Sequence, residues 1–139
     1  MKKYVRSSYF PPEVPYPWGS PERKAICEEH ARELEKKYPG ATVQILGSII
    51  YVISPKIGVD MYVVNDWGHC GILYGGMFEF IPDYLKDGGD IDLVTFTDKL
   101  GNVYRPYPNR KSIKVTFPNG SSIDLSRNKA EILYREGKL

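Results

Sequence analysis

The sequence has few of the side chains on which most enzymes and metalloproteins depend. Its 139 residues include only two cysteines and two histidines. It also lacks the short motifs of common catalytic sites: a glycine-rich phosphate loop, Gly-x-Ser-x-Gly, His-Glu-x-x-His and the dinucleotide-binding fingerprint. These absences exclude the best-known signatures of nucleotide, serine-hydrolase, zinc-protease and dehydrogenase chemistry. We therefore expect neither a cofactor nor a catalytic metal ion.

Long apolar runs are missing as well. No segment approaches the roughly 18 consecutive apolar residues of a membrane-spanning helix. Residues 1–6 carry positive charge, but no apolar stretch follows them, so we expect no secretory signal. Two cysteines in a chain without such a signal are typical of free thiols. These features favour a cytoplasmic protein with no membrane contact.

The sequence does have enough apolar material for one folded domain. Hydrophobic residues make up 42% of the chain, and its length is that of a single domain over residues 1–139. Five of the eleven prolines lie in residues 9–21. Because proline fixes φ and removes a backbone N–H, residues 1–19 are predicted to form an extended, proline-rich arm. Aromatic residues in the arm favour its packing across the domain's own surface.

Two helices are predicted, together with one helical turn over residues 82–86 that ends before Gly88. Ser20 is a typical N-cap and Pro21 suits a first turn, so we expect a helix from there to Tyr38, before Pro39. Its apolar side chains recur within one arc, which predicts an amphipathic helix that packs on an apolar surface. Residues 128–136 are predicted to form a short C-terminal helix.

Between the helices, apolar residues follow strand patterns. Residues 49–53 are apolar on both faces, as in a central strand, whereas Ile113, Val115 and Phe117 alternate with polar residues. Further strands are predicted at residues 42–46, 59–64, 72–80, 91–96 and 122–125. The predicted fold class is α+β, with one twisted antiparallel sheet of about six to seven strands, the N-terminal helix on one face and the short C-terminal helix. The alternative is a small, strongly curved half-barrel.

The cysteines and histidines suggest a zinc site that their spacing does not support. Cys27 and His30 are three residues apart on the predicted helix and therefore share a face. His69 and Cys70 lie in a predicted turn and would complete a Cys2His2 ligand set. Adjacent residues rarely both reach one metal ion, so we expect no zinc.

Cys70 is also a candidate nucleophile. A catalytic thiolate needs a lowered pKa, from a nearby imidazole or a helix N-terminus. His69 is adjacent in sequence, and His30 could supply the imidazole if the helix packs beside residues 68–71. A small cysteine-dependent hydrolase or transferase is therefore the alternative function.

The charges are divided between two neighbouring segments. Residues 79–98 carry one lysine against six carboxylates, whereas residues 99–139 carry nine basic and three acidic side chains. Such polarised charge can steer a charged partner, or the two segments can neutralise each other. Asp90 and Asp92 share a face of a predicted strand, where they could hold magnesium or calcium with a neighbouring carboxylate, or simply be solvated.

One segment interleaves aromatic rings with cations, which indicates a binding surface. Aromatic rings stack on bases, and the guanidinium group of arginine holds phosphates through paired hydrogen bonds. A proline-rich connector with ordinary surface charge would show the same pattern. The candidate binding residues are Tyr104, Arg105, Tyr107, Arg110, Lys111 and Lys114. Their expected partner is a small anionic ligand such as a nucleotide, or an acidic protein surface.

In composition and layout the chain resembles small accessory proteins of bacteriophages and other mobile elements. The similarity lies in its short length, its 11 tyrosines, one helix with a sheet and no catalytic signature. It implies a protein partner, because some such proteins bind and inhibit a host factor, and it transfers no residues. The leading hypothesis is a non-enzymatic binding protein. Homo-oligomers through strand edges or exchange of the arm are a further possibility.

Overall fold

The computed structural model describes residues 13–137, which adopt an α+β fold. Within this range the chain forms three α-helices, a short 3-10 helix and eight strands. The elements in chain order are α1 (Pro21–Lys37), β1 (Thr42–Leu46), β2 (Ile49–Ser54), β3 (Gly58–Val64), β4 (Cys70–Leu73), α2 (Ile81–Lys86), the 3-10 helix (Ile91–Val94), β5 (Phe96–Thr97), β6 (Val103–Pro106), β7 (Ser112–Thr116), β8 (Ser122–Ser126) and α3 (Arg127–Glu136).

The strands form two antiparallel sheets of four, so the expectation of one sheet with six to seven strands is wrong. The first sheet has the order β1-β2-β3-β4 and the second the order β5-β6-β7-β8. The chain divides between them at residues 74–95. There the predicted strand over 77–80 is a turn that leads into α2, and most of the predicted strand over 91–96 is the 3-10 helix.

Helical spacing explains why the strand prediction fails in this segment. Phe78, Ile81 and Tyr84 are three residues apart and all are buried in one core, as on one side of a helix. Apolar runs this short do not distinguish a helix from a strand. Asp90 then begins the 3-10 helix, because its Oδ1 accepts a hydrogen bond of 2.9 Å from the backbone N–H of Asp92.

The predicted helices are confirmed. Ser20 caps α1, with its hydroxyl oxygen 3.1 Å from the backbone nitrogen of Arg23, and the helix ends at Lys37. α3 begins one residue earlier than predicted, after Ser126, whose hydroxyl accepts from the backbone N–H of Lys129.

The first sheet packs on both of its faces. Val52 and Val64 face α1, where they meet Cys27 and Leu34 in one hydrophobic core. The opposite face of the sheet, with Tyr51 at its centre, packs into a second core that contains side chains of α2, α3 and the second sheet. The apolar run over residues 49–53 therefore matches a strand that is covered on both sides.

The second core holds an aromatic cluster that joins the two sheets. Phe78 and Phe96 stack with ring centroids 5.8 Å apart, and Tyr104 meets Tyr134 edge-on at 5.0 Å. The Tyr134 hydroxyl donates a hydrogen bond of 2.7 Å to the carbonyl of Pro55 in the β2–β3 turn. This bond ties α3 to the first sheet.

The end of the predicted arm, residues 13–19, is docked, whereas residues 1–12 lie outside the described range. The backbone N–H of Tyr16 donates to the carbonyl of Asp66 at 2.9 Å. The buried guanidinium of Arg23 donates to the Tyr16 carbonyl at 2.9 Å, to the Asp66 carboxylate at 2.6 Å and to the Val64 carbonyl. Arg23 thereby fixes this part of the chain to the β3–β4 turn.

Candidate functional site

A cleft of about 810 Å³ opens between α2 and the β6–β7 loop. One wall is formed by α2 and residues 89–91, and the other by residues 106–113. Arg127, the first residue of α3, completes the lining. Clefts of this volume are typical of sites for small ligands.

The cleft has an apolar floor. Pro106 and Ile113 are paired across the β6–β7 ladder and both are buried. Ile81 and Leu85 of α2 line the cleft beside them. The floor therefore belongs to the second core, so its position is fixed by the packing of the sheet.

Cations outnumber carboxylates around this floor. Lys86, Arg110, Lys111 and Arg127 line the cleft, and Asp90 is the single carboxylate among its lining residues. Arg127 donates to the Glu79 carbonyl at 2.8 Å and lies 3.8 Å from the Glu79 carboxylate. Within residues 13–137, neither lysine has an ion pair. The cleft therefore carries an excess of positive charge that favours an anionic ligand.

The loop wall is held to the second sheet by Tyr107. Its hydroxyl donates a hydrogen bond of 2.5 Å to the Asp124 carboxylate on β8, and this bond raises the pKa of the Tyr107 phenol. The Arg110 guanidinium lies 4.1 Å from the centroid of the Tyr107 ring, a distance typical of a cation–π contact. Proline at positions 106 and 108 further restricts the loop backbone.

The opposite wall is held to the first sheet by two buried tyrosines. The Tyr84 hydroxyl donates to Gln44 Oε1 at 2.6 Å and accepts from the backbone N–H of Asp90 at 3.1 Å. The Tyr51 hydroxyl donates to the Asp87 carboxylate at 2.6 Å. Burial raises the pKa of both phenols, so both stay protonated and able to donate at neutral pH.

A β-carbon at Gly89 would lie 2.4 Å from the Tyr84 ring, so only glycine fits there.

Comparison with known protein families, curated proteins and solved structures returns no match. None of the helices within residues 13–137 is long and apolar enough to span a membrane. The functional argument therefore depends on the geometry of the site.

Three of the six candidate binding residues line the cleft, namely Tyr107, Arg110 and Lys111. Arg105 and Lys114 lie opposite each other in the β6–β7 ladder, on the solvent-exposed outer face of the second sheet. Arg105 pairs with Asp92 at 2.8 Å, so at this point the acidic and basic segments neutralise each other.

Tyr104 lies in the second core with 1% of its surface exposed, apart from the other five. Its hydroxyl donates to Asp98 Oδ2 at 2.8 Å. Asp98 also accepts from the backbone N–H groups of Leu100 and Asn102 and from the Asn102 side chain. Burial raises the pKa of Asp98, but these hydrogen bonds outweigh burial and leave it below the ordinary value.

Three charged lining residues were not among the candidate binding residues: Lys86, Asp90 and Arg127. Lys86 is the single cation of residues 79–98, and its isolation among carboxylates could have marked it as a candidate for binding an anion. Nothing in the local pattern connects that segment with the β6–β7 loop or with the start of α3. Their meeting depends on how α2 and α3 pack around the second core.

The four candidate metal ligands do not form a metal site. Cys27 is fully buried and its Sγ lies 3.8 Å from the Ser48 carbonyl, whereas His69 is exposed. His30 Nε2 lies 2.9 Å from the carbonyl of Gly68. Across residues 13–137, no group of three or more histidine, cysteine and acidic side chains could hold a metal ion.

α1 does pack beside the segment that contains Cys70, as the nucleophile hypothesis requires. Burial, however, raises the pKa of the Cys70 thiol, and neighbouring Cys27 and Glu33 raise it further. A nucleophilic cysteine needs a lowered pKa, so this environment disfavours the thiolate. The surroundings of Cys70 therefore do not favour a cysteine enzyme. The alternative function stays a prediction.

Proposed function

We propose that the protein is a non-enzymatic binding protein that holds a small anionic ligand in the cleft between α2 and the β6–β7 loop. The observation that carries this proposal is the combination of an apolar floor with four cationic side chains and one carboxylate. A small ligand fits this concave shape better than a flat protein surface does.

Hydrogen bonds within the chain hold both walls of the cleft in place, which supports the proposal. Tyr107 anchors one wall to β8, and Tyr84 anchors the other to β1. A site that is already ordered loses little conformational entropy on binding. Lys86 and Lys111 can pair with a ligand without breaking an existing ion pair in the described residues.

The net charge of the chain is too small to attract an anion to this site by itself. The chain carries a formal charge of only +2, so an anion would be held by the local grouping of cations. Inhibition of a host factor, which the resemblance to mobile-element proteins implies, would then use the same cations against an acidic loop. No contact in the described structure favours that partner, so the small ligand is the proposal we develop.

Titration calorimetry with inorganic pyrophosphate at low ionic strength tests the proposal. We expect binding to the wild-type chain and a loss of at least about tenfold in affinity for Lys111→Glu, because Coulomb attraction becomes repulsion. Lys24→Glu is the matched control, since it makes the same charge change at an exposed position of α1 that does not line the cleft. Its affinity should fall by less than about twofold.

Two results would overturn the proposal. One is the absence of pyrophosphate binding at millimolar concentration. The other is an equal loss in the two variants, because binding would then follow the net charge of the chain and not the cations of the cleft. Thermal unfolding of both variants checks that each is folded.

A further inference from the structure

We infer that the ligand is a nucleoside monophosphate, with its phosphate at the end of the cleft near α3 and its base over the apolar floor. This inference rests on the proposed function and specifies the chemistry of the same site. Two hollows of different size and lining carry it.

The smaller hollow is suited to a phosphate. It has a volume of about 210 Å³ and is lined by residues 111–112 and 126–128. It shares Lys111, Ser112 and Arg127 with the main cleft, so the two hollows are adjacent. Its lining contains two cations, two serine hydroxyls and an asparagine amide, and no carboxylate. Such a donor-rich lining matches the charge and the acceptor oxygens of a phosphate.

Arg127 is held in place for this role. Its Nη1 donates to the Glu79 carbonyl at 2.8 Å and lies 3.8 Å from the Glu79 carboxylate, so two contacts hold the guanidinium. Its other N–H groups have no hydrogen-bond partner within residues 13–137 and remain free to donate. A fixed guanidinium loses less rotational freedom when it binds an oxyanion than a mobile lysine does.

The main cleft is suited to the rest of a nucleotide. Besides the buried floor, its lining includes the partly exposed Leu85 and Ile91 and the exposed Pro108, which present apolar surface to a flat ring. The Asp90 carboxylate can accept hydrogen bonds from the N–H groups of a base or the hydroxyls of a ribose. A chain of several phosphates would reach Lys86 and Arg110 in the main cleft, but it would leave the apolar lining uncovered and would lie beside the Asp90 carboxylate. One phosphate and one nucleoside therefore match the two hollows.

Calorimetry with three nested probes tests this assignment. The probes are inorganic phosphate, adenosine and 5′-AMP, with 5′-UMP and ATP as further ligands. We expect 5′-AMP to bind at least about tenfold more tightly than phosphate or adenosine, because it fills both hollows. ATP should bind no more tightly than 5′-AMP.

Two variants separate the subsites. Lys111→Gln should lower the affinities for phosphate and for 5′-AMP by a similar factor and leave the affinity for adenosine unchanged. Leu85→Ala should lower the affinities for 5′-AMP and for adenosine and leave the affinity for phosphate unchanged. Thermal unfolding shows whether Leu85→Ala is folded, and Ile91→Ala, which shortens another half-buried apolar side chain of the lining, replaces it if it is not.

The outcomes distinguish this inference from the proposed function. If inorganic phosphate and pyrophosphate bind but 5′-AMP and 5′-UMP are no tighter, the inference fails and the anion site remains. If no phosphate compound binds, both fail. If an eight-residue oligouridine binds more than about tenfold more tightly than 5′-UMP, the site takes a nucleic-acid strand, and the mononucleotide assignment is overturned.

Discussion

The two sheets of the molecule are covered differently. In the first sheet, β2 places Val52 against α1 and Tyr51 against the second core, so the strand is buried on both faces. In the second sheet, β7 places Val115 in the core and exposes Lys114 on the outer face. The first sheet therefore serves as a packed interior layer. The second combines a buried face with a charged surface, and the candidate cleft opens beside its β6–β7 loop.

The largest expected effect comes from breaking the doubly buried strand. Ile50→Ala removes a fully buried side chain of β2 and leaves a cavity under α1. We expect a loss of about 2–5 kcal/mol in the free energy of unfolding, measured by urea denaturation. Ile123→Ala on β8 is the control, because that side chain is 45% exposed. It should cost less than about 1 kcal/mol, and similar losses in the two variants would contradict the contrast between the sheets.

This contrast was predictable from the sequence, whereas the division into two sheets was not. The apolar run over residues 49–53 and the alternation of Ile113 and Val115 indicate two-sided and one-sided burial directly. Within residues 74–95 the sequence predicts the helical turn over residues 82–86, but the short apolar runs before and after it are predicted as strands. Local pattern does not specify which elements meet in tertiary structure.

The candidate site was predictable to a similar degree. The interleaved rings and cations of the β6–β7 loop identified one wall, because that signal lies within a few consecutive residues. The other wall comes from α2, and Arg127 comes from the start of α3. These residues meet only through long-range packing, which a single sequence does not encode in any short pattern.

The second prediction concerns the contact through which the first sheet supports the cleft. Tyr84→Phe removes the hydroxyl that donates to Gln44 on β1 and accepts from the backbone of Asp90. Both groups lose a partner, so we expect a loss of about 1–3 kcal/mol in stability. Pyrophosphate affinity should also fall, because the wall at residues 89–91 loses its anchor.

The matched control is Tyr38→Phe. Its hydroxyl lies 3.3 Å from the Tyr62 hydroxyl, between α1 and the first sheet and outside the cleft lining. Pyrophosphate affinity should be unchanged in this variant. If Tyr84→Phe binds pyrophosphate as tightly as the wild-type chain does, the first sheet does not support the wall of the cleft, and the prediction is wrong.

The third prediction concerns how the stability of the chain depends on pH through Asp98, which follows β5 of the second sheet. Asp98 has a pKa below its ordinary value, since its hydrogen bonds favour the carboxylate. Its contribution is therefore present above the unfolded value of about pH 4 and is lost as pH falls through the lower folded value. Asp98→Asn should cost about 1–2 kcal/mol at neutral pH.

Urea midpoints recorded between neutral and acidic pH measure this effect. The wild-type chain should lose more stability than Asp98→Asn as the pH falls below about 4. Parallel pH profiles for the two chains would show that the carboxylate of Asp98 carries no special hydrogen bonding.

The smallest expected effect has the opposite sign and lies in the first sheet. Asp60 sits on the face of β3 that packs toward α1, half-buried and without an ion pair within residues 13–137. Burial raises its pKa, so the folded state favours the protonated acid and is destabilised as the pH rises through the folded pKa. Asp60→Asn should therefore stabilise the chain at neutral pH by less than about 1 kcal/mol. The gain should vanish below about pH 4, where wild-type Asp60 is protonated in both states, whereas a gain that persists in acid would have another origin.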